Sequence, residues 1–165
     1  LIDEKNAKLL TSHHIFTDAE LHSRYEIKLE NYVKTLHIEA GTLAEIIQKD
    51  LLPSITTYIE KIAQTAALKK SVVPDISVSA EASLLTQLTE LSETMTKDLE
   101  TLKKDTAMAE YESGKDLLKS AKLYQSVVLS DMEKVRASAD AAEVLIPDSI
   151  LPYPTYGKLL FSISD

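Results

Sequence analysis

The sequence lacks cysteine entirely and contains only three glycines and five prolines among 165 residues. The absence of cysteine excludes disulfide bonds, thiolate metal sites and cysteine nucleophiles, and it suits a reducing compartment. So few glycines and prolines leave little room for a turn-rich β architecture. Because long amphipathic stretches dominate the rest of the chain, we predict an all-α fold.

Positive charge is also scarce, since the formal net charge is −8. Nucleic acids and anionic membranes bind clustered Lys and Arg, so we expect no nucleic acid and no membrane among the partners. No apolar run approaches the ~18 residues that a bilayer span requires, and no signal-peptide pattern precedes the first helix. The chain begins at Leu1 without an initiator Met. We therefore expect a soluble, cytoplasmic domain excised from a longer protein.

A complete helix-entry signal stands at Thr17. Its hydroxyl can cap the first turn, and Glu20 can reach back to the N–H of Thr17. Apolar residues then recur every three or four positions, at Leu21, Tyr25, Leu29, Tyr32, Leu36, Ala40, Leu43 and Ile47. This spacing predicts one long core-facing helix towards Leu52. Pro53, which lacks an N–H donor, should kink or break it before a second helical stretch begins.

Two more apolar stripes follow an interhelical loop that contains Pro74. The first stripe comprises Leu84, Leu88, Leu91, Met95, Leu99, Leu102, Thr106 and Ala109. The second comprises Leu117, Ala121, Tyr124, Val128, Met132, Val135, Ala139 and Ala142. We expect the break between them at Ser113-Gly114, although a kinked continuous helix stays possible at a single glycine.

These elements predict an elongated antiparallel helical bundle of three to four long helices, with a kink at Pro53 and an extended Pro-rich C-terminal tail. We interpret residues 1–165 as a single helical domain. Within it, residues 1–16 form a connector that can include a short helix, residues 17–146 form the bundle, and residues 147–165 form the tail.

The tail sequence, IPDSILPYPTYGKLLFSISD, differs in character from the helices. Three prolines in a short span disfavour a regular helix. Leu159, Phe161 and Ile163 alternate with Leu160 and Ser162, which is the period of a strand. We interpret Tyr153 and Tyr156 as buried anchors rather than parts of a mobile tail. The apolar residues from Tyr153 to Phe161 should lie buried in a groove between the first long helix and the last one.

Residues that could perform chemistry are sparse. The two arginines, Arg24 and Arg136, lie within amphipathic helices. The three glycines are isolated from one another, so no phosphate-binding loop is present. Glutamate, histidine and arginine clusters of the kind that hold metal ions and phosphates are not evident in the spacing.

The histidines need separate consideration. His22 and Glu26 lie one helical turn apart and could form half of a metal site. Because no third ligand follows at a matching spacing, a solvated helix face is the favoured interpretation. His13-His14 is favoured as a polar loop pair, and His37 as a helix-surface or interface residue. We therefore predict no catalytic, cofactor-binding or metal site in this chain.

Three segments nevertheless have distinctive sequences: SRYEIKLENYVKTLHIEA (residues 23–40), KLYQSVVLSDMEKVRASAD (residues 122–140) and LPYPTYGKLLF (residues 151–161). Together they resemble the C-terminal helical domain of type III glutamine synthetase. The family usually has Trp before the first proline of the last motif, where this chain has Leu151. Residues 69–114 resemble the family only in their helical character.

The resemblance implies a parent enzyme that makes glutamine from glutamate, ammonia and ATP. It further implies ATP and Mg²⁺ (or Mn²⁺) as cofactors of that parent enzyme, none of them in this fragment, and a large homo-oligomer of hexameric rings. The expected partners are the upstream catalytic domain of the same chain and neighbouring subunits. Two hypotheses follow: a structural and assembly domain of a glutamine synthetase, or a free-standing helical-bundle module that binds a partner helix in a groove.

Overall fold

The computed structural model describes residues 2–161, apart from the side chain of Tyr156, and all regular structure among them is helical. The predicted all-α class is therefore confirmed. The α-helices are α1 (Glu4–Ser12), α2 (Asp18–Ile46), α3 (Leu52–Val72), α4 (Ser79–Ser113), α5 (Leu117–Leu123), α6 (Leu129–Glu143) and α7 (Tyr156–Leu160). A first π-helical segment (Ile47–Leu51) joins α2 to α3, and a second (Tyr124–Val128) joins α5 to α6.

The predicted entry signal of α2 is present. The N–H of Thr17 donates to Glu20 Oε2 at 2.8 Å, and the N–H of Glu20 donates to Thr17 Oγ1 at 3.3 Å. These reciprocal bonds satisfy two N–H groups that a helix start leaves without partners. The hydrogen bonds from Thr17 also lower the pKa of the Glu20 carboxyl below its usual value.

Helix α1 ends immediately before this signal, at a left-handed residue. His14 has a φ of 52°. Its N–H donates to the carbonyl of Thr11 at 3.1 Å, and the N–H of Ile15 donates to the carbonyl of Leu10 at 3.0 Å. This pair of bonds is the Schellman pattern, in which glycine usually takes the position of His14.

The chain remains helical across Pro53. In the first π-helical segment the N–H of Leu52 donates to the carbonyl of Ile47, five residues earlier. A π-helical turn admits one extra residue just before Pro53, where the ring and the missing N–H would disturb α-helical hydrogen bonding. The predicted disturbance therefore takes the form of a local change in helical hydrogen bonding and does not break the helix. At Gly114, in contrast, the predicted break between α4 and α5 is confirmed.

Contacts divide the chain into two compact units. The first contains the residues up to Gly41 and Lys104–Ser130. Its core residues are Leu21, Val33, Leu36, Ala40, Ala109, Ala121, Tyr124 and Val128. Helices α4 and α5 run antiparallel there, because Ala109 accepts a hydrogen bond from Ser120 at 2.8 Å while Glu112 pairs with Lys119 at 2.9 Å.

The second unit contains Thr42–Lys103 and the residues from Asp131 onwards. Its core residues are Ala44, Ile47, Leu51, Ile55, Ile62, Leu88, Met95, Leu99, Leu102, Val135, Ala139, Ala142 and Ile146. The long helices are antiparallel in this unit, because Lys69 bonds Glu81 near the connecting loop and Lys103 bonds Gln48 at the other end.

Two predictions about local structure need correction. Tyr32, assigned to the core stripe of α2, is 38% exposed, and its neighbour Val33 is buried instead. Steps of three and of four from Leu29 reach these two positions, so spacing alone does not separate them. The strand-like reading of the tail is wrong over Tyr156–Leu160, which is helical. An alternation over so few residues also fits one helical turn. Ser162 and Ile163 lie outside the described residues.

Candidate docking site at the C-terminal segment

A turn carries the chain away from α6 at Pro147. The N–H of Ile150 donates to the carbonyl of Pro147 at 2.8 Å, and residues 151–155 then follow a non-helical path to α7. The cavity beside Ser149, Ile150 and Pro152 is also lined by residues of α3 and of the first π-helical segment. The start of the tail therefore lies beside the first π-helical segment and the beginning of α3.

Tyr153 fastens the tail to the end of α6. Its ring is half-buried, and its hydroxyl donates a hydrogen bond to Glu143 Oε1. Burial, and then the bond to Glu143, raise the pKa of the Tyr153 phenol well above its usual value. The negative charges of Asp140 and Asp50 act in the same direction. The bond to Glu143 agrees with the predicted anchoring role of Tyr153, but the residue is half-buried and not fully buried as predicted. The side chain of Tyr156 lies outside the described part of the chain.

Asp148 connects the turn to α7. Its carboxylate accepts a hydrogen bond from Thr155 Oγ1 at 3.4 Å, and its carbonyl accepts one from Lys158 Nζ at 3.1 Å. Thr155 has extended backbone angles immediately before the helix, so α7 starts at a fixed point relative to the turn. The short helix is therefore held on the second unit by side-chain bonds as well as by its anchor.

Apolar side chains on both sides of this anchor in the sequence are exposed. Val144 is 85% exposed, Leu160 76% and Phe161 83%. The prediction that the tail is buried through Phe161 is therefore wrong for α7 in this chain. Val144 and Leu159 line a groove of about 540 Å³, which we call the tail groove. It is lined by Asp140, Glu143, Val144, Asp148, Leu151, Tyr153, Pro154, Thr155 and Leu159.

The first unit holds a separate polar cluster. The hydroxyl of Tyr124, in the second π-helical segment, lies 2.9 Å from Nδ1 of His37, and Nε2 of His37 lies 3.8 Å from Glu110. Tyr124 is fully buried, and burial followed by the charge of Glu110 raises its pKa to about 12. A raised phenol pKa is unfavourable for a general base near neutral pH. The cluster therefore ties α2 to the second π-helical segment, and His37 is an interface residue.

The other histidines have structural roles. His22 Nδ1 lies 2.9 Å from the carbonyl of Asp18, so its ring is directed towards Asp18 and not towards Glu26. His13 and His14 terminate α1. Within residues 2–161, no group of three or more His, Asp or Glu side chains is placed to hold a metal ion.

Sequence reasoning missed a buried carboxylate at Asp131. Its side chain is 5% exposed; Oδ1 bonds Lys134 at 2.8 Å, while Oδ2 is buried without a hydrogen-bond partner. The signal was its spacing, three residues after Val128 and four before Val135, which places it on the core face of the helix. With one lysine beside it, Asp131 forms a structural ion pair.

Comparisons with known proteins show which proteins this chain resembles. Residues 1–70 match the family model described as glutamine synthetase C-terminal domain. A glutamine synthetase of Butyrivibrio fibrisolvens is 42% identical over 162 residues, covering 98% of this chain and 23% of the relative. A type-3 glutamine synthetase of Dictyostelium discoideum is 30% identical over 166 residues, covering 96% and 22%. A glutamine synthetase of Bacteroides fragilis (strain YCH46) is 23% identical over 162 residues, covering 97% and 22%.

The fold is thus that of a helical C-terminal domain. The predicted resemblance to the C-terminal domain of type III glutamine synthetase is confirmed. The chain spans a little under a quarter of the length of the relatives it matches. No helix in the described part of the chain is long and apolar enough to cross a membrane.

Proposed function

We propose that this chain is a structural and assembly domain of a cytoplasmic type III glutamine synthetase and contributes no catalytic residues. The parent enzyme would join ammonia to glutamate at the expense of ATP, in a catalytic domain upstream in the same polypeptide. The C-terminal domain would pack on that catalytic domain or on neighbouring subunits of a homo-oligomer. The matches to glutamine synthetases along nearly the whole chain support this proposal.

The side chains that the structure describes are not arranged to bind ATP or a divalent metal ion. Metal-bound nucleotide needs several carboxylate oxygens and cationic or backbone donors converging on the phosphates. Arg136 pairs with Asp140 on the exposed surface of α6, and Arg24 lies over the ring of Phe16. We therefore assign ATP and Mg²⁺ or Mn²⁺ to the catalytic domain of the parent enzyme.

The observation that carries the assembly role is the anchored but exposed tail. Tyr153 and Asp148 fix the segment in place, yet Leu160 and Phe161 remain largely in water. Burying one such side chain is worth roughly 1.5–3 kcal/mol. An exposed apolar cluster of this kind marks an interaction surface, and its fixed position reduces the entropy that binding would cost.

The test uses the full-length polypeptide that carries this chain. We expect Phe161→Ser and deletion of residues 152–165 to shift the oligomer towards smaller species in sedimentation velocity. Leu68→Ser is the matched control, because Leu68 is also an exposed apolar residue, 66% exposed at the end of α3. An unchanged oligomer in both tail variants, together with rapid proteolysis of the tail, would refute the assembly role.

A second measurement addresses catalysis. A variant that still assembles should retain its rate of glutamine formation per subunit, because no residue of this chain is proposed to touch substrate. Calorimetry that finds stoichiometric, micromolar binding of Mg²⁺–ATP to the 165-residue chain would contradict this assignment. An upstream open reading frame in register that encodes a catalytic domain would decide against a free-standing interaction module.

A further inference from the structure

The charged residues that line the tail groove are acidic. They are Asp140, Glu143 and Asp148, and no lysine or arginine lines it in the part of the chain that the structure describes. Arg136 approaches Asp140 from outside the lining at 3.6 Å. Lys158 bonds the backbone carbonyl of Asp148 rather than its carboxylate. Glu143 and Asp148 therefore present negative charge in the same groove as Val144 and Leu159, which are exposed apolar residues.

The pKa of the Tyr153 phenol, which lines the groove, responds to the same negative charges. Besides burial and its bond to Glu143, the charges of Asp140 and Asp50 raise its pKa. The carboxylates thus act on a group that itself lines the groove. A partner that covered the apolar residues alone would remove water from Glu143 and Asp148 without compensation, which is unfavourable.

We propose that the tail groove binds a basic and apolar surface on the part of the glutamine synthetase polypeptide that lies outside this chain. An apolar side chain of that surface packs against Val144 and Leu159, the exposed apolar residues of the groove. A Lys or Arg next to it pairs with Glu143 and Asp148. This inference rests on the proposed assembly function and adds to it the chemistry of the partner, which must supply positive charge at this position.

The experiment compares isosteric neutral variants in the full-length polypeptide. Glu143→Gln and Asp148→Asn keep acceptor oxygens for Tyr153 and Thr155 but remove the negative charge. We expect each to weaken assembly roughly three- to tenfold and the pair to abolish most of its dependence on salt. Glu133→Gln is the matched control, because Glu133 is an exposed carboxylate on the same helix and outside the groove.

The outcomes separate this inference from the function on which it rests. If the neutral variants assemble normally while Phe161→Ser does not, the surface is purely apolar and the inference is overturned, but the assembly role stands. If Phe161→Ser and the deletion of residues 152–165 also leave the oligomer unchanged, and the tail is rapidly proteolysed, the assembly role itself fails. Self-association of the 165-residue chain that Glu143→Gln abolishes would replace the proposed partner by a second copy of this chain.

Discussion

Helix α4 and the C-terminal tail are both rich in apolar residues, but their surroundings differ. All eight positions of the stripe predicted for α4, from Leu84 to Ala109, are buried or half-buried. In the tail, Leu160 and Phe161 are largely exposed although their types are as apolar. The difference teaches that helical periodicity predicts burial, whereas apolar composition alone does not. Apolar residues without a period are buried only if another surface reaches them.

The largest effect expected from this comparison concerns core and tail truncations. Leu88 is fully buried, so Leu88→Ala should lower the free energy of unfolding of the chain by about 2–5 kcal/mol, because it leaves a cavity. Phe161→Ala removes a larger side chain, yet it should change that free energy by less than about 0.5 kcal/mol, because the ring is already in water. Urea unfolding followed by circular dichroism measures both. A Phe161 variant as destabilised as the Leu88 variant would show that the tail is covered in solution.

The same contrast explains how much of the fold the sequence could predict. Spacing alone located the α4 stripe and the stripe from Leu117 to Ala142, and cap chemistry located the start of α2 at Thr17. Spacing could not predict the two π-helical segments. One extra residue in a helical turn changes which neighbouring side chains are in contact, and the spacing of apolar residues does not reveal that change. Nor could it distinguish Tyr32 from Val33, which depends on the facing helix.

The candidate site was less predictable than the fold. Sequence alone indicated Tyr153 as an anchor, because an aromatic residue between two prolines has few other roles in a helical protein. The sequence does not indicate its partner, Glu143, because nothing distinguishes this residue from any other carboxylate near the end of α6. The exposure of α7 also follows from its packing, which no sequence period indicates. The residues that line the groove could therefore not be predicted from the sequence.

A second comparison sets the two bonded tyrosines against each other. Tyr124→Phe should lower the free energy of unfolding by about 0.5–1.5 kcal/mol near neutral pH, because it removes the bond to His37 inside the first unit. Tyr153→Phe should leave global unfolding unchanged and instead speed amide exchange at Lys158 to Phe161, because the bond to Glu143 holds only the tail. Amide exchange and urea unfolding on the same samples distinguish the two outcomes.

Alkaline pH sharpens this second comparison. The pKa of Tyr124 is about 12 in the folded state, against about 10 in an unfolded chain. The contribution of Tyr124 to the free energy of unfolding is fully present below pH about 10. It is lost as the pH rises towards about 12, because the phenol of the unfolded state loses its proton first. Tyr124→Phe should therefore reduce the fall in stability over that window. Tyr111→Phe, at a tyrosine that is 64% exposed, is the control and should not.

The smallest expected effect comes from the same glycine substitution in the two regions. Gly41 lies inside α2 on an exposed face, and a Cβ added there would meet no atom within 4 Å. Gly41→Ala should therefore stabilise the chain by up to ~1 kcal/mol, because alanine loses less backbone entropy when the helix forms. A Cβ on Gly157 in α7 would lie 3.9 Å from Thr155 Oγ1, an ordinary contact.

Gly157→Ala should also favour the helical state of α7. The gain in stability is confined to this five-residue helix, because α7 can unfold locally while the other helices stay folded. We expect slower amide exchange in α7 and a change in global unfolding of less than about 0.5 kcal/mol. Urea unfolding and amide exchange of both variants provide the comparison. Equal global stabilisation by the two substitutions would mean that the tail unfolds together with the helices. The contrast between a buried core and an exposed tail would then be wrong.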